Sequence, residues 1–215
     1  MILNIFHYLN FIKILVLITF FLSIFNLNLK SIIHIYIVSI LSVCLITEIM
    51  IPIFIHKKLT SGLFTTISVI FHHSLWILIL LKSSINKKNK ILLILFTIFA
   101  VFNLFYIEGN KTFNYYTFVI GAIIYITLFT YLSFMQLKIE NFAFFQSNNY
   151  ILLCAPLLFL FGLSFMFSFK NSSVTSEIIF FKIKLYTIIT YFVNIIYYTL
   201  INIYIYKEYK LKNAI

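Results

Sequence analysis

The sequence predicts an all-α integral membrane protein, a single bundle of seven transmembrane helices with no soluble domain. Three observations carry that prediction. The 215 residues are 63% hydrophobic and 10% charged, with a mean hydropathy of +1.07, whereas a soluble domain is nearer half apolar and a quarter charged. The apolar residues fall in continuous runs of helical length, not in the alternating ten-residue segments of a membrane β-barrel. Seven runs of about 20 residues consume roughly 140 positions and leave only loops, which excludes a large enzyme on an anchor.

The runs lie at about 8–28, 31–55, 62–81, 91–107, 115–137, 150–169 and 178–206, separated by breaks rich in Lys, Asn, Ser and Gly. The first has the apolar core of a signal peptide. However, Lys13 sits late in it, and Phe25-Asn26-Leu27-Asn28 offers no small-x-small cleavage site, so the segment reads as a span. Lys13 lies roughly 8 Å inside, within snorkelling reach of the surface. The short break at 26–30 joins the first two spans as a helical hairpin. Pro52 and Pro156 fall inside the second and sixth spans and predict kinks. Cys44 and Cys154 lie in the middle of different spans, where small apolar fillers are expected.

The formal charge of +11 is not a nucleic-acid signal. All 16 basic residues are Lys and all five acids are Glu, a residue choice that fits an AT-rich genome and lacks the clustered Arg of a phosphate-binding surface. The lysines instead report topology. On one side of a seven-span chain fall nine, Lys30, Lys82, Lys87, Lys88, Lys90, Lys138, Lys207, Lys210 and Lys212. The other side holds four, Lys57, Lys58, Lys111 and Lys170, or seven when Lys13, Lys182 and Lys184 are added. This bias predicts a carboxyl terminus in the cytoplasm, an amino terminus outside, and a multi-pass protein of the inner membrane.

Polar residues inside spans are costly and therefore informative. Glu48 is the one acid well inside a span, roughly 10 Å from the outer end of the second helix, and His72 and His73 lie roughly 15 Å from the outer end of the third. Adjacent histidines point about 100° apart on a helix, so only one of them can face a given site. Asn103 on the fourth helix and Lys182 and Lys184 on the seventh fall in the same outer half. Glu48, His72, His73, Asn103 and Lys184 are thus candidates for an outward-opening ligand cavity. The alternative is that Glu48 merely ties helices together, since interhelical polar contacts commonly act as glue. Asn194 and Asn202 are expected to make structural interhelical bonds in the inner half of the last span.

No cofactor is expected. His34 sits about 9 Å shallower than a bis-His haem with His72 would need, and the chain has neither His-x-x-x-His nor Glu-x-x-His for zinc. A retinal Schiff base would need a lysine in the middle of the last helix and an acid on the third; Lys184 lies near an end and the third helix has no acid.

Several stretches carry a family resemblance: Glu108-Gly109-Asn110 with Asn114-Tyr115-Tyr116, the segment 140–147 leading into a span with Gly162, and a last span with Asn194 and Asn202 before a short lysine tail. Together they resemble small uncharacterised seven-span membrane proteins of the Bacteroidota, which are often encoded beside sensor histidine kinases. The resemblance implies a signalling association with a membrane partner and supplies no catalytic residue. The expectation is a non-enzymatic sensor or accessory component of membrane signalling, its partners being the lipid bilayer and a membrane histidine kinase or other membrane protein. The competing expectation is a small transporter or lipid-processing enzyme that uses Glu48 with His72 or His73 as proton relay or general base.

Overall fold

The computed structural model describes residues 11–83, 90–168, 178–180 and 183–213. The described residues form a helical bundle with one short two-stranded ladder. Its elements in order are α1 (Phe11–Asn26), α2 (Ile32–His56), α3 (Gly62–Ser83), α4 (Lys90–Phe102, continued by a π turn Asn103–Ile107), α5 (Tyr115–Lys138), the short α6 (Phe142–Gln146), α7 (Asn148–Ser168), strands β1 (Ile178–Phe180) and β2 (Ile183–Lys184), and α8 (Leu185–Asn213). Six of these helices, α2, α3, α4 with its π turn, α5, α7 and α8, are long and apolar enough to cross a membrane, and α1 is an apolar helix of 16 described residues. Helices are what lipid demands, because hydrocarbon offers no partner to an unpaired backbone N–H or C=O.

Two helix ends are closed by the same device. Lys58 (φ +53°) and Glu140 (φ +54°) take the left-handed conformation just past α2 and α5. The next residue then turns its N–H back into the last turn, Leu59 to the Phe54 carbonyl at 2.9 Å and Asn141 to the Gln136 carbonyl at 3.0 Å.

The last span departs from expectation. Its helix begins at Leu185 rather than 178, because the preceding residues pair as an antiparallel ladder, Ile178 opposite Lys184 and Phe180 opposite Ile183. Hydropathy alone merges this stretch with the helix that follows, although the β-branched and aromatic residues of 178–184 suit a strand equally well. At its other end α8 runs to Asn213, past position 206, with Lys210 and Lys212 in the last turn where cations complement the helix dipole.

Six helices close a ring in which each packs on the next: α1 on α2, α2 on α3, α3 on α5, α5 on α7, α7 on α8 and α8 back on α1. α4 stands outside the ring against α3 and α5. Polar bonds reinforce the seams. Asn202 of α8 donates to Thr19 Oγ1 of α1 at 3.0 Å, as expected of an interhelical tie, and the Tyr125 hydroxyl of α5 donates to the Leu153 carbonyl of α7 at 2.8 Å. Large apolar side chains cover the outside, among them Phe25, Ile98, Phe134 and Phe161. That inversion of the soluble pattern identifies a multi-pass membrane protein whose outer wall contacts the lipid bilayer.

Candidate functional site: a cavity inside the helix ring

The ring helices line an open pocket of about 390 Å³ near the end of the bundle where α2 stops and α3, α5 and α8 start. Every helix of the ring contributes: Ile12 from α1, Glu48 from α2, His72 from α3, Phe118 from α5, Phe159 from α7 and Asn194 from α8. Glu48 stands eight residues, about 12 Å, before the end of α2, and His72 stands ten residues, about 15 Å, into α3. The sequence-derived depths therefore place both at one level, and the packing of α2 on α3 brings them to the same cavity.

Glu48 is half-buried and accepts no hydrogen bond from the described residues. Lys13 of α1 is the cation whose charge acts on it through space, yet the two form no ion pair within 4 Å. Pro52 lies four residues after Glu48 in α2 and has no N–H to give, so the Glu48 carbonyl lacks its helical donor as well.

His72 is buried and hydrogen-bonded to Tyr197 of α8, Nε2 to hydroxyl, at 3.2 Å. The same hydroxyl accepts the indole N–H of Trp76 at 3.0 Å. His72 thus touches the cavity on one side and a Tyr197–Trp76 pair on the other, with no hydrogen bond to Glu48.

The other candidates lie elsewhere. His73 turns a hundred degrees away and packs edge-on to Phe118, with ring centres 4.8 Å apart, and beside Phe96 of α4. Its Nδ1 bonds to the Val69 carbonyl at 2.9 Å; a carbonyl can only accept, so Nδ1 carries the proton. Gly121 makes room for this ring, since a Cβ there would lie 2.5 Å from His73 Cδ2.

Asn103 is fully buried but belongs to α4, outside the ring, and does not line the cavity. Its amide donates to Glu108 Oε2 at 2.7 Å and to Thr117 Oγ1 at 2.8 Å, tying the π turn to α5. Lys184 is exposed on β2, ahead of α8, and it too does not line the cavity. The depth count that placed it inside a span assumed a helix starting at 178. Lys182, counted with it, falls outside the described residues.

Sequence reasoning missed several lining residues. Asn194 was expected in an inner-half interhelical bond; with α8 starting at 185 it lies nearer the cavity end, lines the cavity, and donates to Thr190 of its own helix at 2.8 Å. Thr47, Thr65, Ser68 and Thr190 also line it. Hydroxyls of this kind give no sequence signal in a membrane helix, because most of them bond to the preceding turn wherever they face. Among the described residues no three His, Cys, Asp or Glu side chains gather closely enough to hold a metal ion.

Comparison with protein families, with curated proteins and with solved structures finds no match to this chain.

Proposed function

We propose that this is a seven-span protein of the inner membrane, amino terminus outside and carboxyl terminus cytoplasmic, that senses a small molecule in the ring cavity and passes that state to another membrane protein, such as a membrane histidine kinase. The observation that carries the reading is the cavity itself, about 390 Å³, bounded by six helices and holding the deepest acid in any span. This size is that of a small-molecule site, and intramembrane carboxylates mark function by default. The seventh span of this reading is α1, an apolar helix over its described residues. The lysine bias supports the orientation, which puts the cavity toward the outside.

Sensing is favoured over catalysis because His72 is engaged by Tyr197 and makes no hydrogen bond to Glu48, so the two do not form an oriented base pair.

Two measurements test the reading. In a chain with Cys44 and Cys154 replaced, Leu59→Cys should react with an impermeant thiol reagent in intact cells and Leu211→Cys only after permeabilisation; the opposite pattern overturns the orientation. Crosslinking in native membranes should capture a membrane protein partner. Failure to capture one, together with turnover of a substrate that Glu48→Gln abolishes, would replace the sensor with a transporter or lipid-processing enzyme.

A further inference from the structure

We propose that the ligand of this cavity is an organic ammonium cation with apolar substituents, and that Glu48 is its counter-ion; this rests on the cavity being a ligand site, as argued above. Several of the lining hydroxyls have already spent their protons. The hydroxyls of Thr47, Thr65 and Ser68 donate to the carbonyls of Val43, Ser61 and Phe64 at 2.7, 2.9 and 3.0 Å. The Asn194 amide likewise donates to Thr190. What the three hydroxyls still present is lone pairs, while the second Asn194 N–H and the buried Thr190 hydroxyl, unpartnered among the described residues, remain as donors on the α8 side.

Glu48 adds a carboxylate with no hydrogen-bond donor among the described residues, and the proline four residues on removes the i+4 donor of its main-chain carbonyl. A carboxylate without a donor in a largely apolar pocket is satisfied by a cation or a donor, and it repels an anion placed beside it.

The rest of the wall suits the remainder of such a ligand. Phe113, Phe118, Phe159 and Phe167 form a connected aromatic surface, with ring centres 5.2 Å apart for Phe113 and Phe167 and 4.9 Å for Phe118 and Phe167. Aromatic faces attract ammonium groups and accommodate their alkyl or aryl substituents. Lys13 is the resident cation nearest in effect, held too far off to pair. It therefore competes with the ligand by charge without filling its place.

The test is isothermal titration of the full chain in dodecyl maltoside with three probes of similar bulk: benzyltriethylammonium, 4-tert-butylbenzyl alcohol and 4-tert-butylbenzenesulfonate. The cation should bind at least about ten-fold tighter than the alcohol or the sulfonate. Glu48→Gln should remove that preference while leaving the alcohol unchanged, and Lys13→Gln should strengthen cation binding several-fold. Equal binding of cation and sulfonate, or an unchanged cation affinity in Glu48→Gln, overturns the proposal. Should Glu48→Gln fail to fold, Lys13→Gln decides alone, and the absence of any gain overturns it. Ser68→Trp fills the cavity and separates the two levels. Alcohol binding that Ser68→Trp abolishes, without cation preference, leaves the cavity as a ligand site and removes the cation; no binding by any probe removes both.

Discussion

The His34 imidazole of α2 and the Glu208 carboxylate of α8 meet at 3.4 Å, at the end of the bundle opposite the cavity. His34 Nδ1 bonds to the Asn28 carbonyl at 2.9 Å, which fixes the proton there, and Nε2 faces the Tyr204 hydroxyl at 3.0 Å. Asn148 of α7 donates to Glu208 at 2.6 Å and to the Tyr204 carbonyl at 3.2 Å. Three helices of the ring are thus tied at one level by groups largely withdrawn from water.

Glu208→Ala should cost about 1–3 kcal/mol, because it takes the charged acceptor from the Asn148 amide and leaves it only the longer bond to the Tyr204 carbonyl. The measurement is the midpoint of thermal unfolding in detergent. A double-mutant cycle with His34→Phe should show the two losses to be less than additive, since both act on one network. Strict additivity would mean that the 3.4 Å approach contributes nothing.

The hydroxyl of Tyr197 serves two buried partners, His72 Nε2 and Trp76 Nε1. Tyr197→Phe should therefore be among the more damaging hydroxyl deletions, about 1–3 kcal/mol for each group left unpaired. Trp76 is the chain's one tryptophan, so its fluorescence reports the change directly. The variant should shift the emission, whereas Tyr206→Phe, at an exposed ring, should not.

Same-depth relationships were readable in the sequence and lateral ones were not. Counting 1.5 Å per residue along two helices joined by a short loop put Glu48 and His72 at one level, and the structure brings both to one cavity. The same count gave Asn103 a suitable depth, but depth says nothing about whether a helix stands inside or outside a ring. That depends on which helices pack side by side, and α4 packs outside. Lys184 failed for another reason: hydropathy does not distinguish a strand of Ile, Phe and Lys from the first turns of a helix, so the register of α8 slipped by seven residues. Asn194 moved from the inner half to the cavity with that slip.

Gly121 should tolerate no side chain. An added Cβ would lie 2.5 Å from His73 Cδ2 and 2.9 Å from Phe96 Cε2, rings held on both sides by packing. Gly121→Ala should cost about 1–3 kcal/mol as overpacking. His73→Ala in the same chain should recover part of that loss, because removing the ring vacates the space the new methyl needs. No recovery in the double variant would place the strain in the backbone instead.

The start of α5 depends on an acid seven residues before it. Glu108 Oε1 accepts the backbone N–H of Tyr115 at 3.0 Å, and Oε2 accepts that of Tyr116 at 2.9 Å as well as the Asn103 amide. These are first-turn N–H groups with no partner inside the helix, and a carboxylate there also meets the positive end of the helix dipole. In the sequence Glu108 stands out only as part of the Glu108-Gly109-Asn110 stretch between two spans; the ordinary capping position is Asn114, whose side chain makes no cap bond to α5. Glu108→Ala should then lower stability by about 1–3 kcal/mol through lost charge-assisted bonds, and Glu108→Gln should lose less because it keeps one acceptor oxygen. Tyr115 lines the cavity, so releasing the first turn should also loosen its wall. Any ligand that Ser68→Trp displaces should bind Glu108→Ala more weakly than wild type, and equal affinity in a folded Glu108→Ala protein would show that this capping serves stability alone.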